Sequence, residues 1–191
     1  MRLSTARIEP VLDQDMTDEQ REVLETLKGP RGGLLTFYRT LAHAPKALHR
    51  FTQWGAYVLS RRNSLPARQR EILILRVGYL CRSGYEFAQH TKIGLREGLT
   101  AQDIVRIKAG ADAGWSAAEA ALIRAADELV TDHFVTDRTW GALREIFDDK
   151  QCMDAVFTVG QYTQVAMFLN SFGVQPEPGQ EIDPDLSIVG R

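Results

Sequence analysis

Three residues of this chain combine types and spacing that can do chemistry: Glu71, Glu86 and His90. Glu86 and His90 stand four apart, which on a helix puts them one turn apart on the same face. A carboxylate there can accept a hydrogen bond from one imidazole nitrogen and fix the tautomer of the ring. An imidazole held in this way serves as a general acid or base. Glu71 opens the apolar run Ile72-Leu73-Ile74-Leu75. A carboxyl on so apolar a segment must find a partner or take up a proton. If the two segments form an antiparallel hairpin turning near Arg82, Glu71 lies eleven residues before the turn and His90 eight after it. At about 1.5 Å rise per residue their axial offset is on the order of 5 Å. A Glu and a His can span an interaxial gap of roughly 8–10 Å between them. Two plainer readings stand beside this one. An E-x-x-x-H pair is also the ordinary mark of a solvated helix face, and Glu71 is also suited to the first turn of a helix.

The elements that must position these groups read as helices. Thr17-Asp18-Glu19-Gln20 forms a capping box ahead of Val23, Leu24 and Leu27. Gly29-Pro30-Arg31-Gly32-Gly33 stops that helix. An apolar stretch from Leu34 to Ala42 precedes Pro45, which suits the first turn of a helix through Phe51, Trp54 and Val58. The next helix spans about 66–81. Its flank Ala67 to Glu71 favours helix, and its length exceeds that of a typical strand. Apolar on most faces, it should be central. A break at Arg82-Ser83-Gly84 leads to a helix over about 85–97, with Gly98 as its stop. Thr100 caps another, and Ser116-Ala117-Ala118-Glu119 is a second capping box for a helix to about His133. Thr136 begins one more, and Asp149 or Lys150 begins a long last helix ending near Phe172. No segment alternates with period two. The expected fold is all-α, a helical bundle around a central antiparallel hairpin: one domain over residues 1–173. Residues 174–191 read as a polar, Pro-containing tail, extended or ordered only against a partner.

Composition narrows the function. The chain has 191 residues, 44% hydrophobic and 25% charged, enough for one well-formed core. Its net charge of −2 offers no basic excess for phosphates, so nucleic acid is not an expected partner. No apolar run approaches the roughly 20 residues needed to span a bilayer, and the first residues lack the apolar core of a signal peptide. A cytoplasmic location is the default expectation. Cys81 and Cys152 are the two cysteines, too few for a disulfide scaffold and not in C-x-x-C spacing. They read as structural thiols.

The segment Leu65-Pro66-Ala67-Arg68-Gln69-Arg70-Glu71-Ile72-Leu73-Ile74-Leu75-Arg76, followed by Tyr85-Glu86-Phe87-Ala88-Gln89-His90 and Gly98-Leu99-Thr100, resembles the carboxymuconolactone decarboxylase family, in the superfamily that includes alkyl hydroperoxidase D. Phe37 to Pro45, Ala126-Asp127-Glu128-Leu129 and Gly160-Gln161-Tyr162 resemble the flanks of its longer members. The resemblance implies an all-helical homo-oligomer (dimer, trimer or hexamer) acting on a small-molecule substrate. In the hydroperoxidase branch a C-x-x-C pair precedes the histidine. Its positions fall here on Ser83 and Glu86, so both thiols are missing. A thiolate must attack a peroxide and a second thiol must resolve the product. Ser83 and Glu86 can do neither.

The decarboxylase branch implies cofactor-free proton chemistry on a carboxylated or lactone-like metabolite. By resemblance His90 is the acid/base, Glu86 orients it and Glu71 tunes its charge. Arg76, Arg39 and Arg82 are candidate cations for a substrate carboxylate, and Tyr38, His43, Tyr85 and Tyr162 candidate pocket walls. Each has a plain packing alternative. No cofactor is expected. A metal at Glu71, Glu86 and His90 lacks a further ligand and is not expected either. The alternatives are a peroxidase-like oxidoreductase using Cys81, with or without Cys152, and a non-catalytic oligomer that binds a ligand or protein.

Overall fold

The computed structural model describes residues 1–29 and 32–187. Among them lie nine α-helices: α1 Asp18–Glu25, α2 Thr36–Leu41, α3 Pro45–Leu59, α4 Ala67–Leu80, α5 Gly84–Arg96, α6 Ala101–Ala109, α7 Ala117–Asp132, α8 Asp137–Arg144 and α9 Asp149–Phe172. No strand occurs among the described residues. The chain is all-α, as the periodicity predicts. No helix among the described residues is long and apolar enough to cross a membrane.

Helix ends follow local chemistry. Thr17 and Gln20 form the reciprocal capping box of α1, and Thr100 with Asp103 and Asp148 with Gln151 do the same for α6 and α9. The box expected at Ser116 is half formed. Its hydroxyl accepts from Glu119 N but also donates to Glu119 Oε2, so that carboxylate does not reach back to the cap backbone. Pro45 occupies the first turn of α3. Gly173, at φ +69°, ends α9 in a left-handed conformation that costs glycine little. In the stop expected over 29–33, Pro30 and Arg31 lie outside the described residues, while Gly29 N–H donates to Gly33 O.

Helix α4 is the axle. Ile72, Leu73, Ile74, Leu75 and Val77 have no exposed surface, and α4 packs on α5, α6, α7 and α9. One side joins a core with Leu122, Ala126, Val159 and Tyr162, the other a cluster with Phe87, Ile104, Ile107 and Ile123. The turn from α4 to α5 is tight. Ser83 N–H donates to Gly78 O, and Arg82 takes φ +54°.

The entry to α4 is fixed by a buried carboxylate on α9. Asp154, with no exposed surface, accepts from Ser64 N, Ser64 Oγ, Tyr57 Oη and Lys150 Nζ, each at 2.7 Å. Burial pushes this carboxyl up, but the bonds from Lys150, Ser64 and Tyr57 outweigh it and hold the pKa at about 2.

The C-terminal segment corrects an expectation. Over 174–187 it is largely without regular structure, but it is ordered on its own chain rather than awaiting a partner. Glu177 accepts from Thr36 N and Tyr85 Oη, Lys108 pairs with Asp183 and Asp185, and Val174 and Leu186 are buried. Residues 188–191 lie outside the described residues.

Asp154 yields a test. Its folded pKa is depressed, so its stabilisation is complete above about pH 4 and is lost as pH falls through about 2. The shift corresponds to about 2 kcal/mol. Urea unfolding of the wild type should show this acid limb, and Asp154→Asn should be less stable at pH 7 with a flatter profile.

Candidate functional site

The α4–α5 hairpin brings the two most distant members of the triad into contact. His90 Nδ1 lies 2.9 Å from Glu71 Oε2, and both residues are buried, at 8% and 3% exposure. The carboxylate assigns the ring proton to Nδ1 and leaves Nε2 with its lone pair. Nε2 has no protein partner among the described residues, so it is the ring nitrogen left for chemistry. Tyr162 of α9 packs its ring edge-to-face on His90, at 4.8 Å between centroids and 83°. The phenol of Tyr162 is held neutral, first by burial and then by the charges of Glu71 and Glu86 and by Tyr38. Tyr38 and Tyr162 therefore belong to the same neighbourhood as the acids.

Glu86 does not orient His90, which corrects the sequence reading. Glu71 does so instead. Both oxygens of Glu86 are buried and without a partner among the described residues. Burial, with no hydrogen bond to the charged form, raises its pKa well above the usual carboxylic value and so favours the protonated acid. The room for it comes from Gly78, where an added Cβ would lie 3.2 Å from Glu86 Oε1. Gly78 is a site residue the sequence reading passed over. An isolated glycine inside a strong helical pattern was the available signal. Gln69, Thr91 and Gln161 also carry buried, unpartnered oxygens. Thr91 and Gln161 adjoin His90 and Tyr162 in sequence and Gln69 lies two residues before Glu71, but nothing in their types marked them out.

Other candidates lie elsewhere. Arg76 is not a free cation for a substrate. Its guanidinium is taken by Asp127 Oδ1 at 2.5 Å, Ile107 O at 2.8 Å and Lys108 O at 2.9 Å. Arg39 is held by Asp13 and Val11 O. Tyr85 is buried with its hydroxyl given to Glu177 Oε1 at 2.7 Å, which makes it a brace for the C-terminal segment. His43 is exposed and bonds Glu9 O at the edge of an apolar groove of about 600 Å³ that His90 does not line. Arg82 is exposed at the hairpin turn.

The cysteines do not form a redox pair. Asn170 Nδ2 donates to Cys81 O at 2.8 Å, whereas Cys152 sits near the start of the same helix as Asn170, about 27 Å away along its axis. Disulfide geometry needs Cα atoms within about 7 Å. Burial, then Glu86, pushes the Cys81 thiol up to about 11, so on the order of one molecule in ten thousand carries a thiolate at pH 7.

Comparison with known proteins agrees with this fold. Residues 45–128 match the model of the carboxymuconolactone decarboxylase family. No curated protein matches the chain. Among solved structures it is similar to the alkylhydroperoxidase AhpD core of an uncharacterized peroxidase-related protein from Ralstonia eutropha JMP134, with a TM-score of 0.79 and 18% identity over 90% of this chain and 92% of that one. An uncharacterized peroxidase-related protein from Silicibacter sp. TM1040 superposes with a TM-score of 0.77 and 14% identity, over 93% and 97% of the two chains. The debrominase Bmp8, solved with 2,3,4-tribromopyrrole, gives a TM-score of 0.74 and 11% identity over 96% and 95%.

The state of Glu86 can be measured. Its raised pKa means the native state keeps a proton the unfolded chain has lost, so stability falls as pH rises above about 4.5. The slope should approach about 1.4 kcal/mol per pH unit until the native carboxyl titrates. Glu86→Gln keeps the shape without the charge. Its stability relative to wild type should grow as pH rises above about 5 in urea unfolding.

Proposed function

We propose, from the match of residues 45–128 to the carboxymuconolactone decarboxylase family model, that the chain is a homo-oligomeric, cytoplasmic enzyme doing cofactor-independent acid/base chemistry on a small carboxylated or lactone-like metabolite. The observation that carries this reading is the buried Glu71–His90 pair, with the buried, unpartnered Glu86 one turn before His90 on α5. Exposed Trp54, Phe134, Trp140 and Met167 supply apolar surface for an oligomer.

The proposed step uses these groups in turn. The ring first takes a proton from solvent at Nε2, and the Nδ1 hydrogen bond to Glu71 holds the doubly protonated ring in place. When the bond from ring carbon to carboxylate breaks, carbon dioxide leaves and its electron pair stays on the substrate as an extended enolate. Nε2–H protonates that carbon. Solvent, or the Glu86 carboxyl one helical turn away, returns the proton to His90. Tyr162, packed edge-to-face on the ring, and the burial of both partners shield the Glu71–imidazolium attraction from water.

A thiol peroxidase reading has little support. Cys81 is mostly protonated at neutral pH and has no resolving thiol in reach.

The test is a panel of small carboxylated lactones assayed for carbon dioxide release. On any substrate turned over, His90→Ala should lose about 10²–10⁴-fold in kcat. Glu71→Gln should lose about tenfold or more, with an altered pH profile. Cys81→Ser should stay within about twofold of wild type. Full turnover by His90→Ala would remove the mechanism. Peroxide consumption that disappears in Cys81→Ser would move the protein to the oxidoreductase class.

A further inference from the structure

On the outside of the same hairpin lies an open groove of about 940 Å³, between the α4–α5 turn, the N-terminal segment and the second half of α9. Arg2, Arg7, Arg82 and His133 all line it, and no Asp or Glu does among the described residues. This is unusual in a chain with 25 acidic and 23 basic side chains. None of the three arginines pairs with a carboxylate among the described residues. Arg7 makes only a long bond to Ser171 O, at 3.4 Å. Converging guanidinium groups repel one another, and an anion between them removes that cost.

Two further observations point to a ligand. Ser83 precedes the first turn of α5 but does not cap it, and its hydroxyl is buried at 1% exposure without a partner. It lines a crevice of about 10 Å³, room for one water-sized group, which shares Arg2 and Asn170 with the groove. Arg82 supplies its guanidinium from φ +54°, where a residue with a Cβ is strained and glycine is not. The turn is held against α9 by the Asn170 bond to Cys81 O, so these groups are positioned rather than loose.

We propose that this groove binds a small organic polyanion, a compound carrying two or more carboxylate or phosphate groups, with Arg2, Arg7 and Arg82 as its cationic contacts and Ser83 at its inner end. Its lining does not include His90, Glu71 or Glu86. The site is separate from the proposed catalytic one, and its test needs no turnover.

The probes are citrate for carboxylates and pyrophosphate for phosphates, titrated calorimetrically into the full chain at low salt. Saturable binding of at least one probe, at one per chain and weakening with added salt, is expected. Arg82→Gly should lose at least tenfold in affinity while its melting temperature holds or rises, since glycine relaxes the turn. The double variant Arg2→Gln/Arg7→Gln should lose at least as much and decides the matter if Arg82→Gly fails to fold. Arg61→Gln, an exposed arginine away from the groove, should stay within twofold. The preferred probe identifies which anion class the groove takes. No saturation with either probe, wild-type affinity in the groove variants, or an equal loss in Arg61→Gln would overturn the proposal.

Discussion

A buried charge is costly to leave unanswered, and α4 carries three buried charged side chains. Arg70, Glu71 and Arg76 lie between 3% and 9% exposed. Each is answered by a different part of the chain. Arg70 donates to Leu65 O and Leu59 O in the loop that leads into α4. Glu71 bonds His90 on α5. Arg76 ties α4 to Asp127 on α7 and to the last carbonyls of α6. An unpaired buried charge costs several kcal/mol, so the bonds of these three side chains set how the neighbouring helices sit around α4. The Glu71–His90 pair is thus part of the scaffold as well as of the site.

That constraint explains what could be read in advance. The bulk of the fold was legible because caps, glycine stops and apolar periodicity are local signals: Thr17, Thr100, Pro45 and Gly173 each act within a few residues of where they stand. The meeting of Glu71 and His90 was legible because a hairpin turning near Arg82 sets their levels by arithmetic. The roles of Glu86 and Arg76 were not. Spacing of four allows Glu86 to reach His90, but residues equidistant from the turn face one another, and Gly78 opposite Glu86 leaves a gap that the carboxyl fills. Arg76 resembled a free cation because its partners, an acid on α7 and two carbonyls of α6, lie 31 to 51 residues away in sequence.

Two buried acids close to one histidine raise a problem of charge, and the hairpin resolves it by treating them differently. Glu71 has a hydrogen-bond donor beside it in His90 Nδ1. Glu86 has none, and burial pushes its pKa well up. Such divergence between neighbouring carboxyl groups separates an electrostatic partner from a proton donor. It also bears on Cys81. Burial and the nearby Glu86 both oppose a thiolate there, so the arrangement that favours proton transfer disfavours thiol chemistry.

The C-terminal segment belongs to this arrangement more closely than its composition suggests. Glu177 accepts from Thr36 at the start of α2 and from Tyr85 in the first turn of α5, at 2.7 Å each. Gln180 accepts from Gln89 and donates to Tyr85 O. Tyr85 and Gln89 flank Glu86 and His90 in sequence, so this segment clamps the helix that carries both. A polar, proline-containing stretch is ordinarily free because it has little apolar surface to bury. Here a few charge-assisted bonds to groups already fixed by packing supply the order instead. The first turn of α5 is consequently held from three directions: by α4 through Gly78, by α9 through the Asn170 contact at the turn, and by residues 177–180 from outside. A neutral carboxyl without a partner stays in place only when its surroundings are fixed this firmly.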